Sequence, residues 1–241
     1  MVSEMENIDV NNIALAVIWY AVLLVSFVFH EAAHGFAALK LGDPTAYLHG
    51  QVTLDPLPHI RREPVGMVVF PLLTYALGGF MIGWASAPYD PYWARANRKK
   101  AALMAIAGPA ANLGLVLLAG LAIRGGMLLG IFEAPESVTL ARVTAATSAG
   151  FAHAVAVLVS ILFSLNLILL TFNLIPLPPL DGSNVLVFFL SEQAADRYES
   201  FLSQPTYRLL GLVIAWQLFD PVFSVVHLLA LNALYPGHWY S

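Results

Sequence analysis

Residues 28–35 read V-F-H-E-A-A-H-G, and His30, Glu31 and His34 are the side chains in this chain best suited to chemistry. On an α-helix, positions four apart share a face, so both imidazoles can reach one cation. Glu31 is one position on, about 100° around the axis. From there a carboxylate can act on a water held by that cation without being a ligand itself. The alternative is two helical histidines making ordinary hydrogen bonds. The surroundings disfavour it, because the motif sits in a long apolar run. An ionisable group there costs roughly 2–3 kcal/mol or more unless something pairs it. The chain has no Cys, so neither disulfides nor thiolate ligands exist, and any transition metal must use His and carboxylate. That donor set suits zinc.

A catalytic zinc usually takes three protein ligands and keeps a fourth position for water. The third must come from elsewhere in the chain. Asp43, the first acid after the motif, lies in a loop too close in sequence to fold back. Asp181 is the better candidate. It follows Pro176-Leu177-Pro178-Pro179-Leu180, which cannot continue a helix. Irregular backbone at membrane depth is tolerated only where protein or a wet cavity satisfies it. The competing reading is a plain cap at a span end, since Asp-Gly is also a common turn.

The elements that must position these residues are membrane spans. The chain has 241 residues, of which 59% are hydrophobic and 11% charged. Soluble domains carry about 25% charged residues, so this is an integral membrane protein with no separate soluble domain. A net charge of −4 gives no reason to expect nucleic acid. The N-terminus, MVSEMENIDV, is acidic and lacks the basic region of a signal peptide, so the first apolar run is expected to be retained. Residues 13 to about 41 predict the first span, with Asn11 and Asn12 as N-caps and Gly42-Asp43-Pro44 as the stop. Residues 45–64 predict a short strand or bent hairpin over 46–54, ended by Asp55-Pro56. Residues 65–84 are apolar but interrupted by Pro71 and Gly78-Gly79. Residues 83–88 predict a loop or edge strand, followed by a basic cluster of Arg95, Arg98, Lys99 and Lys100. Residues 101–123 and 145–173 predict spans, the former with a small-residue face that permits close packing. Residues 183–205 read as a short apolar piece and a polar linker. Residues 206–232 read as a last hydrophobic segment broken at Asp220-Pro221. The expected architecture is an all-α polytopic membrane protein with four or five crossings. It has a three-helix catalytic core, peripheral helices and a short membrane-associated β or re-entrant region after the first helix. The whole chain is expected to be one domain, with a core over about 13–190 and a peripheral segment over 191–241.

A parity argument constrains the topology. If His30, His34 and Asp181 bind one ion, the first span and the 145–173 span must end near the same membrane face. An odd number of crossings must separate them, so 65–84 should re-enter or lie along the membrane. Lys40, Arg61, Arg62, Arg95, Arg98, Lys99, Lys100, Arg197 and Arg208 then fall on one side, with only Arg124 and Arg142 on the other. That asymmetry is what the positive-inside rule expects. It puts the N-terminus outside and the metal nearer the cytoplasm.

These residues resemble the site-2 protease family of intramembrane zinc metalloproteases. The resemblance is carried by HEAAHG at 30–35, AGPAAN at 107–112 and FNLIPLPPLDG at 172–182, with LGDPTA at 41–46 and GWASAP at 83–88. It is closest to the minimal prokaryotic branch, without PDZ or CBS domains. The resemblance implies His30, His34 and Asp181 as ligands of one zinc, Glu31 as the catalytic residue, Asn173 at the active site and Asn112 in the core. One departure is GWASAP where the family more usually has GWAKP.

The implied reaction is hydrolysis of a peptide bond in a transmembrane protein substrate. Glu31 would be general base and Asn173 a donor to the developing oxyanion. The substrate helix must unwind first, and its extended segment would pair with an edge at 46–54 or 83–87. Other polar residues have plainer readings: His49 and His59 as interfacial, His153 as a structural hydrogen-bonder, Asp220 and His227 as a pair beside Pro221, and His238 in a loose tail. Asn112 and Asn173 also read as interhelical glue. Ser86 and Ser183 have no visible base, so a serine protease finds no support. The alternatives are a transporter or a scaffold with a structural intramembrane metal site.

Overall fold

The computed structural model describes residues 10–202, 204–237 and 240. The acidic stretch before Val10 and His238 lie outside the described residues. α1 (Val10–Leu41) opens the fold. Asn11 and Asn12 fall inside it rather than capping it. At its other end Gly42 takes φ +111°, a value that a residue with Cβ adopts only under strain.

The region after α1 departs from expectation. Residues 46–54 form no strand. α2 (Thr45–Leu48) follows Pro44, and α3 (Pro56–Arg62) follows Asp55. Asp-Pro here starts a helix. The Asp55 carboxylate accepts from Leu57 N at 2.9 Å, and Pro56 occupies the first helical position, where its missing N–H costs nothing. A π-helical turn (Val65–Val69) runs into α4 (Phe70–Gly78), which stops at Gly79 in a left-handed conformation. At about 1.5 Å per residue this apolar piece spans roughly 21 Å, short of the ~30 Å hydrocarbon thickness. Residues 83–87 form no regular element and belong to no sheet. Trp84 N donates to Gly66 O at 3.1 Å.

α5 (Pro91–Ala96) leads into α6 (Arg98–Leu128). The strands that do form lie in the next connection: β1 (Phe132–Glu133) pairs antiparallel with β2 (Ala145–Ala146). α7 (Phe151–Asn173) therefore starts later than expected, after Gly150. α8 (Asp181–Val187) follows the proline-rich turn. The expected polar linker is a helix, α9 (Glu192–Leu202), and α10 (Pro205–Leu234) continues through Pro221. Pro221 has no N–H for Gln217 O, and the helix continues past it all the same; beside it Ser224 Oγ donates to Asp220 O at 2.7 Å.

Among the described residues, α1, α6, α7 and α10 are long and apolar enough to cross a membrane, and the chain is a multi-pass membrane protein. α1, α6 and α7 pack on one another as the expected three-helix core. One apolar cluster joins Trp19, Leu23 and Phe27 of α1 to Ile161 and Leu165 of α7, with Met67 and Met81 from the region between α3 and α5 filling its side. A second joins Ala119 and Ile123 of α6 to Phe163 of α7 and to Leu234 and Tyr235. Lipid is as apolar as these side chains, so close fit and buried hydrogen bonds, rather than water exclusion, hold the helices together.

Candidate metal centre

α1 delivers His30 and His34 to the same face, with ring centroids 4.6 Å apart and planes at 81°. Each imidazole is held by α6 through Nδ1. His30 Nδ1 donates to Asn112 Oδ1 at 2.6 Å and His34 Nδ1 to Met104 O at 2.8 Å. A carbonyl oxygen only accepts, so each ring carries its proton on Nδ1 and leaves a lone pair on Nε2.

Those two lone pairs point at each other and at Asp181. His30 Nε2 and His34 Nε2 are 3.0 Å apart, and Asp181 Oδ2 lies 3.1 and 3.3 Å from them. Asp181 Oδ2 is buried and accepts no hydrogen bond. Three converging lone pairs repel unless a cation or proton sits between them. Two nitrogens and an oxygen at bond lengths of about 2.0–2.1 Å around a tetrahedral zinc would stand roughly 3.3–3.4 Å apart. The observed triangle fits that shell within a few tenths of an ångström, and its His₂-carboxylate donors are a set zinc uses with one position open.

Gly108 of α6 makes the approach possible. A Cβ there would collide with His34 Nε2 and come within 2.6 Å of His30. The α6 face read as small for helix packing is small where the imidazoles lie.

Behind the histidines runs a buried chain. Asn112 Nδ2 donates to Asn166 Oδ1 at 2.9 Å, Asn166 Nδ2 donates to Ser26 Oγ at 2.9 Å, and Ser26 Oγ donates to Val22 O at 2.7 Å. It ties α6 to α7 and back to α1, one turn before His30. Asn112 is thus both interhelical glue and the support of the His30 imidazole. Asn166 and Ser26 were missed. An asparagine in mid-span is itself a signal in an apolar helix, but nothing local to it names its partners.

The other expected residues are placed as follows. Glu31 is buried and makes no hydrogen bond among the described residues. Asn173, the last residue of α7, is not joined to the triad. Its Nδ2 donates to Leu169 O at 3.0 Å within its own helix. His59 is buried rather than interfacial, with Nε2 donating to Thr53 O at 3.0 Å. His49 is exposed, and His153 makes no hydrogen bond among the described residues. His227 does not pair with Asp220 and instead stacks on Phe223 at 5.2 Å.

Fold and centre together define a multi-pass membrane protein with an intramembrane His₂Asp triad. The chain belongs to peptidase family M50, whose model matches residues 18–216. It is 36% identical over 165 residues to YwhC of Bacillus subtilis, covering 68% of this chain and 65% of that protein. It is 32% identical to Rip2 of Mycolicibacterium smegmatis over 164 residues, 68% of this chain and 53% of that one, and 32% identical to Rip2 of Mycobacterium tuberculosis over 159 residues, 66% and 52%. All three are provisionally named zinc metalloproteases. The matched part of this chain spans between about half and two thirds of their lengths. No solved structure matches the chain.

Proposed function

We propose that this chain is an intramembrane zinc metalloendopeptidase that hydrolyses a peptide bond within or near a transmembrane segment of a membrane protein. The observation that supports it most is the triangle of His30 Nε2, His34 Nε2 and Asp181 Oδ2, no side longer than 3.3 Å, inside a three-helix membrane core. The names of its relatives and its membership of a peptidase family point the same way.

His30, His34 and Asp181 would hold one zinc, which when bound would supply Lewis-acid chemistry to the scissile carbonyl and a water made acidic, with a pKa toward about 7. Asn112 and Met104 O keep both imidazoles in the tautomer that exposes Nε2. Glu31 takes the proton from the attacking water and returns it to the departing amine. Its burial keeps that proton from leaking to bulk solvent. Asn173 has one amide hydrogen on Leu169 O and a second left for the developing oxyanion. The basic residues, nine against two when residues 65–84 do not cross, put the centre toward the cytoplasm and the N-terminus outside. The whole chain acts as one membrane domain.

The test pairs metal analysis with cleavage. Purified protein should carry one zinc and cut a model transmembrane substrate, and a chelator should abolish the cut. Glu31→Gln should keep the zinc and lose cleavage. Zinc retention with undiminished cleavage in Glu31→Gln would end the proposed role of Glu31. A transporter or scaffold would instead survive that substitution with its activity intact.

A further inference from the structure

Asp181 stands at the end of a turn whose own hydrogen bonds are few and local, Leu177 N–H donating to Ile175 O at 2.8 Å and Leu180 N–H to Leu177 O at 3.0 Å. Between α7 and α8 the chain reads Leu174-Ile175-Pro176-Leu177-Pro178-Pro179-Leu180, and three of these seven residues have no N–H to donate. The carboxylate oxygen that faces the histidines accepts no hydrogen bond. Its position is therefore set by whatever grips the turn.

That grip comes from the segment read as peripheral. Gly211 of α10 lies against Pro178. A Cβ there would strike Pro178 O and come within 2.9 Å of Pro178 Cγ and Cδ. One turn on, the fully buried Ala215 packs with Ile175 and Leu180, with Phe172, Leu177 and Phe219 around them. From α9, Tyr198 Oη reaches to 3.5 Å of Pro176 O. α9 is in turn pinned to α6. Arg98 donates through Nε and Nη2 to both carboxylate oxygens of Glu199, at 3.1 and 3.2 Å, and through Nη2 to Asp196. α6 also carries Asn112, Met104 and Gly108, which seat the histidines. One helix thus bears on both halves of the triad: on the histidines directly, and on Asp181 both through α8, which packs against it, and through α9, α10 and the proline turn.

We propose that α9 and the first half of α10 form a brace that sets the Asp181 carboxylate against the histidine pair, with Gly211 and the Arg98–Glu199–Asp196 cluster as positioning residues for metal affinity. The inference rests on zinc binding at this triad. Neither Gly211 nor Arg98 touches the ion or the substrate.

Zinc alone, competed against a chromophoric chelator, is the probe, with full-length protein in detergent. Gly211→Ala should weaken zinc binding about 10–100-fold, the range seen when supports of metal ligands are lost. The same Cβ meets Pro178 and can lower stability as well, so thermal unfolding of the zinc-free variant is read alongside, and only weaker zinc binding by a variant that stays folded counts for the brace. Gly114→Ala, where nothing lies within 4 Å of the new Cβ, should bind as wild type. Arg98→Gln should weaken binding by about threefold, as expected for a partly exposed ion pair, and Arg98→Lys should recover part of it. Should Gly211→Ala fail to fold, the two Arg98 variants decide. A wild type that takes up no zinc, or as much as His30→Ala does, sinks the metal reading. A wild type that binds zinc while Gly211→Ala and Arg98→Gln bind it equally well sinks the brace alone.

Discussion

The two halves of the triad are held by different physics. The histidine half is fastened by hydrogen bonds among groups that solvent does not reach: Asn112, Asn166 and Ser26 are all 0% exposed. The aspartate half is fastened by shape and by surface charge. Its turn is seated on Gly211 and Ala215, and of the ion pairs behind it Arg98–Glu199 is only partly buried and Arg98–Asp196 is open, with the Asp196 side chain 66% exposed. Buried hydrogen bonds are strong and unscreened, whereas exposed ion pairs contribute little and fade with salt. The histidines are thus the more rigidly held half of the triad, and Asp181 is the more adjustable one.

The largest expected effect is on the rigid half. Gly108→Ala drives a methyl into both imidazoles and should abolish zinc binding, read as metal content after purification, while the chain still inserts. Asn112→Leu comes next. It strands His30 Nδ1 and leaves Asn166 short of its donor, so zinc affinity should fall about 10–100-fold. Asn112→Asp keeps an acceptor for His30 and should recover most of that loss. If Leu and Asp at this position behave alike, the hydrogen bond is not what seats His30.

Salt separates the halves more finely. Raising ionic strength from about 0.1 M to about 1 M shortens the Debye length from ~10 to ~3 Å. Zinc affinity of the wild type should then fall about threefold, to the level of Arg98→Gln, which should show no salt dependence of its own. A salt response that persists in Arg98→Gln would place the sensitivity elsewhere.

The smallest effect concerns the loop after α1. Asp43 is buried, which works to raise its pKa. The Thr45 hydroxyl at Oδ1 and the backbone N–H groups of Asp90 and Thr45 outweigh this and hold it below the ordinary carboxylate value. A depressed folded pKa contributes stability above the unfolded value of about 3.9, lost as pH falls through the folded one. Asp43→Asn should cost about 1 kcal/mol near neutrality and flatten the acid limb of a thermal-unfolding profile. Zinc affinity should not change, because this loop belongs to neither half.

The contrast between the halves also explains what could be read in advance. His30 and His34 are a local pattern, four residues apart on one helix, so their convergence follows from helix geometry. Asp181 was reached by elimination of Asp43 and from the proline-rich stretch before it. The Val65–Gly78 helical piece is shorter than the four span candidates, and Asp181, past the end of α7, lies 3.1 Å from His30 of α1. The strand expected at 46–54 failed because Asp55-Pro56 starts a helix as well as it ends a strand, and no local rule separates the two. Asn166 lies 54 residues from Asn112, and Arg98 lies 101 from Glu199. No periodicity spans such gaps.

Apolar run lengths, the paired histidines and the missing cysteines settle a membrane protein with an oxygen-and-nitrogen metal site, because each of those is a property of neighbouring residues. Which asparagine holds His30, why α6 needs a glycine at 108, and how the proline turn is gripped from α10 depend on helices meeting face to face. Contacts of that kind are chosen by packing across the whole bundle, and packing becomes visible only when the chain is folded.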